Sequence, residues 1–343
     1  MNFNSKKIFI TGGAGFVGSN LANSLLIDQC DVTVIDNLSR KGVEKNIEWL
    51  KSLHGNNLKF VNIDITNFEL IKEHLKEADL VFHLAAQVAV TTSVIDPRKD
   101  FDINLVGTLN ILESIRLSSK KPILLFTSTN KVYGELQDIE VTEDDNRYSF
   151  KNIVGVSEQF TLDFHSPYGC SKGAADQYVR DYSRIYGIKT IVFRMSCIYG
   201  IRQFGNEDQG WLAHFIISMI LSRKISIYGN GKQVRDLLYV DDLINAMKLA
   251  IENIENTSGK IYNIGGGSNN SLSIWRELSV VFKNLNLKII DPEFSDWRPG
   301  DQPIYISDIS KARKDFGWSP KISVNEGISK LLDWVKSNKN LFQ

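Results

Sequence analysis

Short runs that are apolar at nearly every position alternate, through the first half of the chain, with longer stretches in which apolar residues recur every three or four places. The runs cover residues 7–11, 31–35, 58–63, 80–84, 123–127 and 189–194, and they read as strands buried on both faces. The intervening stretches have helical period: Leu21, Leu25 and Leu26 after the first run, then residues 67–77, 97–118 and 168–186. Strands and helices in this order predict an α/β fold, a Rossmann-type doubly wound parallel sheet with ligands at the C-terminal strand ends. After residue 195 the pattern loosens. The chain is therefore expected to divide into a dinucleotide-binding domain over 1–195 and a smaller substrate domain over 196–343, with a segment near 233–265 returning to the first. Residues 135–164 are polar and turn-rich and are expected to form a loop over the site.

The first strand runs straight into Gly12-Gly13-Ala14-Gly15-Phe16-Val17-Gly18, and the second ends at Asp36. Strand, glycine turn, helix, strand and acidic residue together are the pattern of a dinucleotide site. Gly12 permits the turn, Gly15 admits a pyrophosphate, Gly18 allows close helix packing, and the helix N-terminus favours phosphate. Asp36 would accept from an adenosine ribose and repel a 2′-phosphate, so NAD is expected over NADP, although Arg40 could pair with such a phosphate. Asp64, Ala85, Gln87 and Thr127 fall at strand C-termini. Asp64 would lie near adenine or cap a helix; spacing leaves both open. His83, inside an apolar strand, reads as a core histidine.

Tyr168 and Lys172 lie four residues apart where a helix opens after Ser166-Pro167, so they share a face. An ammonium beside a phenol favours phenolate, which could act as a base near neutrality. Thr129, at the end of the fifth strand, could hold a substrate hydroxyl for Tyr168 to deprotonate. Arg235 and Arg298 follow turns in the second region and suit a diphosphate.

Composition narrows the classes. Lys+Arg 40 balances Asp+Glu 40, which gives no basis for nucleic acid or an anionic membrane. Cys30, Cys170 and Cys197 have no metal spacing, so no metal is expected, and a reducing cytoplasm fits them. No apolar run approaches the roughly 20 residues that cross a bilayer, and the strand at Lys7 leaves no room for a signal peptide.

Thr11-Gly12-x-x-Gly15-x-x-Gly18, Asp36, Thr127-Ser128-Thr129, Val132-Tyr133-Gly134, Tyr168-x-x-x-Lys172 and Arg235-Asp236 resemble the extended short-chain dehydrogenase/reductases that act on nucleotide sugars. The likeness runs from Ile8 to about Trp334. Longer strings, such as Ser128-Thr129-Asn130-Lys131-Val132-Tyr133-Gly134 and Phe164-His165-Ser166-Pro167-Tyr168-Gly169-Cys170-Ser171-Lys172, look most like the members that invert C2 of a CDP-linked deoxyhexose. The resemblance implies a catalytic set of Thr129, Tyr168 and Lys172. It implies NAD, bound and not consumed, on Gly12, Gly15, Phe16, Val17, Gly18, Asp36, Asn37, Ser39, Arg40, Asp64, Ile65, Leu84, Ala85, Ala86, Gln87, Asn104, Thr127, Tyr168 and Lys172. It assigns the CDP-sugar to Gln87, Thr129, Asn130, His165, Arg202, Arg235, Arg298 and Asp301, and implies a homo-oligomer, dimer or tetramer. Cys197 departs from the family's usual Asn. Family dehydratases carry Asp-Glu after the threonine, where this chain has Asn130-Lys131, which argues against dehydration. A UDP-hexose 4-epimerase with the same triad is the alternative, and a non-catalytic dinucleotide sensor is disfavoured by the intact Tyr168–Lys172 pair.

Overall fold

The computed structural model describes residues 3–297 and 301–342. Seven parallel strands form the central sheet: β1 (Lys7–Thr11), β2 (Asp31–Asp36), β3 (Lys59–Asn62), β4 (Leu80–His83), β5 (Ile123–Thr129), β8 (Thr190–Met195) and β12 (Lys260–Ile264). A hairpin, β6 (Val141–Glu143) and β7 (Tyr148–Phe150), and three short strands, β9 (Cys197–Tyr199), β10 (Ser226–Tyr228) and β11 (Val234–Tyr239), fill the chain between. Their order across the sheet is β12-β8-β5-β4-β1-β2-β3. The order reverses beside β1, and that switch point opens a crevice at the C-terminal strand ends.

Both faces of the sheet are covered, as the continuous apolar runs require. Alternation sends Ile8, Ile10, Phe82 and Leu125 to one core and Phe9, Val81, Leu124 and Phe126 to the other. The helices are α1 (Phe16–Ile27), α2 (Val43–His54), α3 (Phe68–Leu75), α4 (Val90–Ile95), α5 (Pro97–Phe101), α6 (Gly107–Leu117) and α7 (Ser166–Tyr186). The run expected as one helix over 97–118 is α5 and α6 joined by a π-turn at Asp102–Val106.

The polypeptide beyond β8 builds a second sheet, in which β11 pairs with β9, Ser271–Ser273 and Ile304–Tyr305, before and after contributing β12 to the first. Residues 135–164, expected as a loop, hold the β6–β7 hairpin. It is braced on the second sheet by Arg147, which donates to Ser271 Oγ at 2.9 Å and pairs with Glu277 at 3.2 Å. Polar, turn-rich composition concealed it because neither three-residue strand is long enough to show a period.

Candidate active site

The crevice begins at the glycine turn. Gly12 takes φ +69°, and a Cβ there would meet the Ala85 amide nitrogen at 2.6 Å, so the turn lies flat against the end of β4. A Cβ on Gly18 would collide with the Gly12 carbonyl, which sets how closely α1 approaches the turn. Gly15 is different: a Cβ there would meet only the Gly12 oxygen, at 3.1 Å, and otherwise point into open space. That space, above the first turn of α1 with its half-buried Phe16 and Val17, fits the diphosphate of a dinucleotide.

At the end of β2, Asp36 accepts from Leu38 N at 2.9 Å and Ala14 N at 3.1 Å, which aims the carboxylate at the rim of the cradle. Asn37 donates to Asp64 at 2.7 Å, and Asp64 also takes the Thr66 amide and hydroxyl at 2.9 and 2.7 Å. Asp64 is therefore a rim residue and not a helix cap. The cap of α3 is Asn67, whose side chain accepts from Leu70 N. Ser39 and Arg40 are exposed, and Arg40 reaches across to donate to Gln209. Ile65 is buried, packed where a Cβ on Gly107 would stand.

Leu84, Ala85, Ala86 and Gln87 line the floor after β4. Asn104, in the π-turn, grips this segment: its Oδ1 accepts from Gln87 N at 2.9 Å and its Nδ2 donates to Gln87 O at 3.1 Å. His83 lies below, with its ring nitrogens 2.7 Å from Thr11 Oγ1 and 3.0 Å from Thr108 Oγ1. Burial drives it down to about 3, the state of a neutral core histidine.

Tyr168 stands in the first turn of α7, where Pro167 starts the helix without needing an amide partner, and its own amide donates to Ser93 Oγ at 3.1 Å. The phenol lies near Thr129 at the end of β5, whose hydroxyl eases its ionisation. One helical turn on, the Lys172 ammonium donates to the Thr127 carbonyl at 2.7 Å and lies 4.1 Å from the centre of the Phe126 ring. The structure thus places Tyr168 near Thr129, with Lys172 one helical turn on, at the C-terminal end of β5. Burial pushes the phenol up to about 12, relieved in part by Thr129, and pushes Lys172 down to about 7. An ammonium beside the phenol was expected to favour phenolate; in the protein by itself desolvation is the largest influence on both groups and opposes either charge.

On the other side of the crevice Arg235, on β11, donates to Asp301 at 2.6 Å. Burial would raise Asp301, but Arg235 and Lys131 hold it below the usual carboxylate range. Lys131 Nζ lies 3.8 Å from the same carboxylate, and the half-buried Cys197 thiol lies near Arg235 and Lys131, its proton favoured by desolvation. Asn130 is half-buried next to Thr129. His165 bridges Glu135 at 3.1 Å and Asp163 at 3.0 Å at the mouth, ahead of α7.

Two expectations end differently. Arg298 lies outside the described residues. Arg202 is not in the crevice: its guanidinium donates to Asn46 Oδ1 at 2.9 Å and Lys45 O at 2.6 Å, 4.7 Å from the Trp49 ring. A loop arginine near a glycine looks the same in sequence whether it faces solvent, ligand or, as here, the back of α2. Sequence reasoning also passed over Asp100, buried behind Lys172 and one turn before Asn104 on the same helix face; that i, i+4 spacing was the available signal.

Residues 9–331 match the family described as GDP-mannose 4,6 dehydratase. CDP-paratose 2-epimerase of Salmonella typhi is 44% identical over 96% of this chain and 99% of its own. UDP-glucose 4-epimerase of Thermotoga maritima, solved with UDP-glucose, superposes with a TM-score of 0.83 at 30% identity, covering 97% of this chain and 99% of its own. UDP-glucuronic acid 4-epimerase of Bacillus cereus, in complex with UDP-glucuronic acid and NAD, gives 0.82 at 29%, covering 96% and 99%. With its glycine cradle and matches along nearly its whole length, this protein is an enzyme of the extended short-chain dehydrogenase/reductases and belongs to the GDP-mannose 4,6 dehydratase family.

Proposed function

We propose that the protein is an NAD-dependent epimerase that inverts C2 of a CDP-linked deoxyhexose through a transient 2-keto sugar. The observation that carries this reading is the placing of Tyr168 near Thr129, with Lys172 one helical turn on, at the mouth of a cradle shaped for a dinucleotide. The 44% identity to a CDP-paratose 2-epimerase supports the choice of carbon and of nucleotide.

Gly12, Gly15, Gly18 and the first turn of α1 would hold the NAD diphosphate, Asp36 the adenosine ribose, and Gln87, Asn104 and Lys172 the nicotinamide end. When bound, NAD supplies a reversible hydride acceptor for the carbon to be inverted. The chain's own residues handle the rest. C2 of a sugar acetal has no neighbouring carbonyl, so its hydrogen is not removable as a proton, and oxidation of the carbon itself is the available route. Tyr168 takes the C2 hydroxyl proton and later returns it, while Thr129 orients that oxygen. Lys172 ammonium, one turn away, stabilises the phenolate that burial alone would suppress. The flat 2-keto sugar then turns over while Arg235, backed by Asp301, holds the diphosphate in place. Because NAD ends each turnover unchanged, it stays bound. Asn130 and Lys131 offer no carboxylic acid and base for the elimination of water.

A second reading, inversion at C4 of a UDP-hexose, is favoured by the likeness to the Thermotoga enzyme. The purified protein incubated with CDP-, UDP-, GDP- and dTDP-sugars, with each ring carbon followed by NMR, separates the two: inversion at C4 of a UDP-sugar, with CDP-sugars untouched, defeats the first reading. We further propose a cytoplasmic homo-oligomer, dimer or tetramer, that covers the exposed Phe101, Leu117, Tyr178, Ile185 and Tyr186 of α5, α6 and α7.

A further inference from the structure

Asp100 is 1% exposed, and its carboxylate binds three neutral donors: Gln87 Nε2 at 2.7 Å, Asn104 Nδ2 at 3.1 Å and Ser171 Oγ at 2.5 Å. The contrast with Asp176 on the same catalytic helix is instructive. Asp176 is fully buried too, but Arg194 answers its charge at 2.8 Å. Asp100 has no such partner among the described residues, and its hydrogen bonds all come from neutral side chains.

Ser171 sits between Tyr168 and Lys172 on α7, its Oγ 3.2 Å from the Tyr168 carbonyl oxygen. The charged and titratable groups around Lys172 are Asp100, Asp176 one turn on, neutral His83, and Tyr168 one turn back on α7; the Thr127 carbonyl and Phe126 ring also lie against it. Of the two carboxylates, Asp176 is salt-bridged to Arg194, and Asp100 makes no salt bridge among the described residues. Its bond to Gln87 Nε2 also fixes the Gln87 amide so that its oxygen accepts from Ala89 N at 2.6 Å.

We infer that Asp100 is a positioning residue for the reaction: its carboxylate clamps Ser171 between Tyr168 and Lys172, orients the Gln87 and Asn104 amides on the cofactor side, and sets a buried carboxylate behind Lys172. The inference rests on the proposed roles of Tyr168 and Lys172 in catalysis. Loss of the Asp100 charge makes Lys172 easier to deprotonate and Tyr168 easier to ionise, since a nearby carboxylate opposes the first and impedes the second. Both limbs of the pH–rate profile therefore move to lower pH together. A purely structural role for Asp100 would lower the profile without moving it.

The test uses the full-length protein labelled with ¹³C at lysine Cε, with the Lys172 resonance assigned by its loss in Lys172→Met. We expect a Lys172 midpoint near 7 in the unsubstituted protein, about one pH unit lower in Asp100→Asn, and unchanged in Ser171→Ala, which keeps the charge. An unchanged midpoint in folded Asp100→Asn, checked by thermal melting and by NAD affinity, overturns the proposal. If Asp100→Asn does not fold, Ser171→Ala tests the clamp alone: turnover should fall about tenfold with the midpoint in place, and full turnover overturns it. The midpoint requires no sugar. A protein inactive on CDP-sugars whose midpoint still shifts would sink the proposed function and leave this inference standing.

Discussion

Asp176→Asn isolates what anchors the catalytic helix. Asp176 lies one turn beyond Lys172 on α7, fully buried, and accepts Arg194 Nε at 2.8 Å and Nη2 at 3.0 Å from β8. The guanidinium is itself 2% exposed; it also donates to Tyr133 OH at 3.0 Å, which donates to Asn263 at 2.8 Å. The substitution keeps the shape and removes the charge, so the interior is left with a cation that no carboxylate answers. Breaking one side of such a pair costs about 3–5 kcal/mol, a large part of the roughly 5–15 kcal/mol that holds a domain folded. Guanidinium denaturation followed by tryptophan fluorescence measures this, and the midpoint should fall with little change in slope. The double change Asp176→Asn with Arg194→Met removes both charges and should recover much of the loss. A loss below about 1 kcal/mol, the range of exposed pairs, would refute the claim that this pair is sealed from water and fastens α7 to the sheet.

Tyr168→Phe should lower epimerisation by roughly a hundred- to ten-thousand-fold while NAD affinity, measured by calorimetry, stays close to that of the unsubstituted protein; near-normal turnover would move the base elsewhere. Substrate deuterated at C2 should react slowly and keep its label, whereas exchange with solvent would point to an enediol route. Arg202→Met should destabilise the fold by about 2 kcal/mol, from the lost stacking on Trp49 and the unpaired Asn46 oxygen, with KM for the nucleotide sugar unchanged; a raised KM would return Arg202 to the substrate site. Lys172 has a folded value of about 7, below its unfolded value of about 10.4. Between these the unfolded chain binds more protons, so stability rises with pH across that window. Lys172→Met lacks the rise, and its stability advantage at pH 7 and below should shrink as pH climbs towards 10; an advantage that stays constant would show that Lys172 titrates normally.

The strand runs, the glycine turn and the Tyr168–Lys172 spacing were all legible along the chain, because each depends on local rules: apolar runs for strands buried on two faces, steric permission at glycine, and a helical repeat that aligns residues four apart. The place of Thr129 near Tyr168 was legible as well, since strand ends collect at one edge of a parallel sheet. Arg202 was not, because whether an arginine meets a ligand or the back of a helix depends on which surfaces pack, and nothing near it in sequence records that Asn46 and Trp49 will be its neighbours. The β6–β7 hairpin exists because Arg147 and Tyr148 find partners more than 80 residues away. Most of all, the protonation of the pair was decided by folding. Charge spacing argued for an activated phenol, but burial withdraws the water that would stabilise either charge, so the balance between Tyr168 and Lys172 passes to Thr129, Asp100 and Asp176, which only the tertiary structure brings beside them.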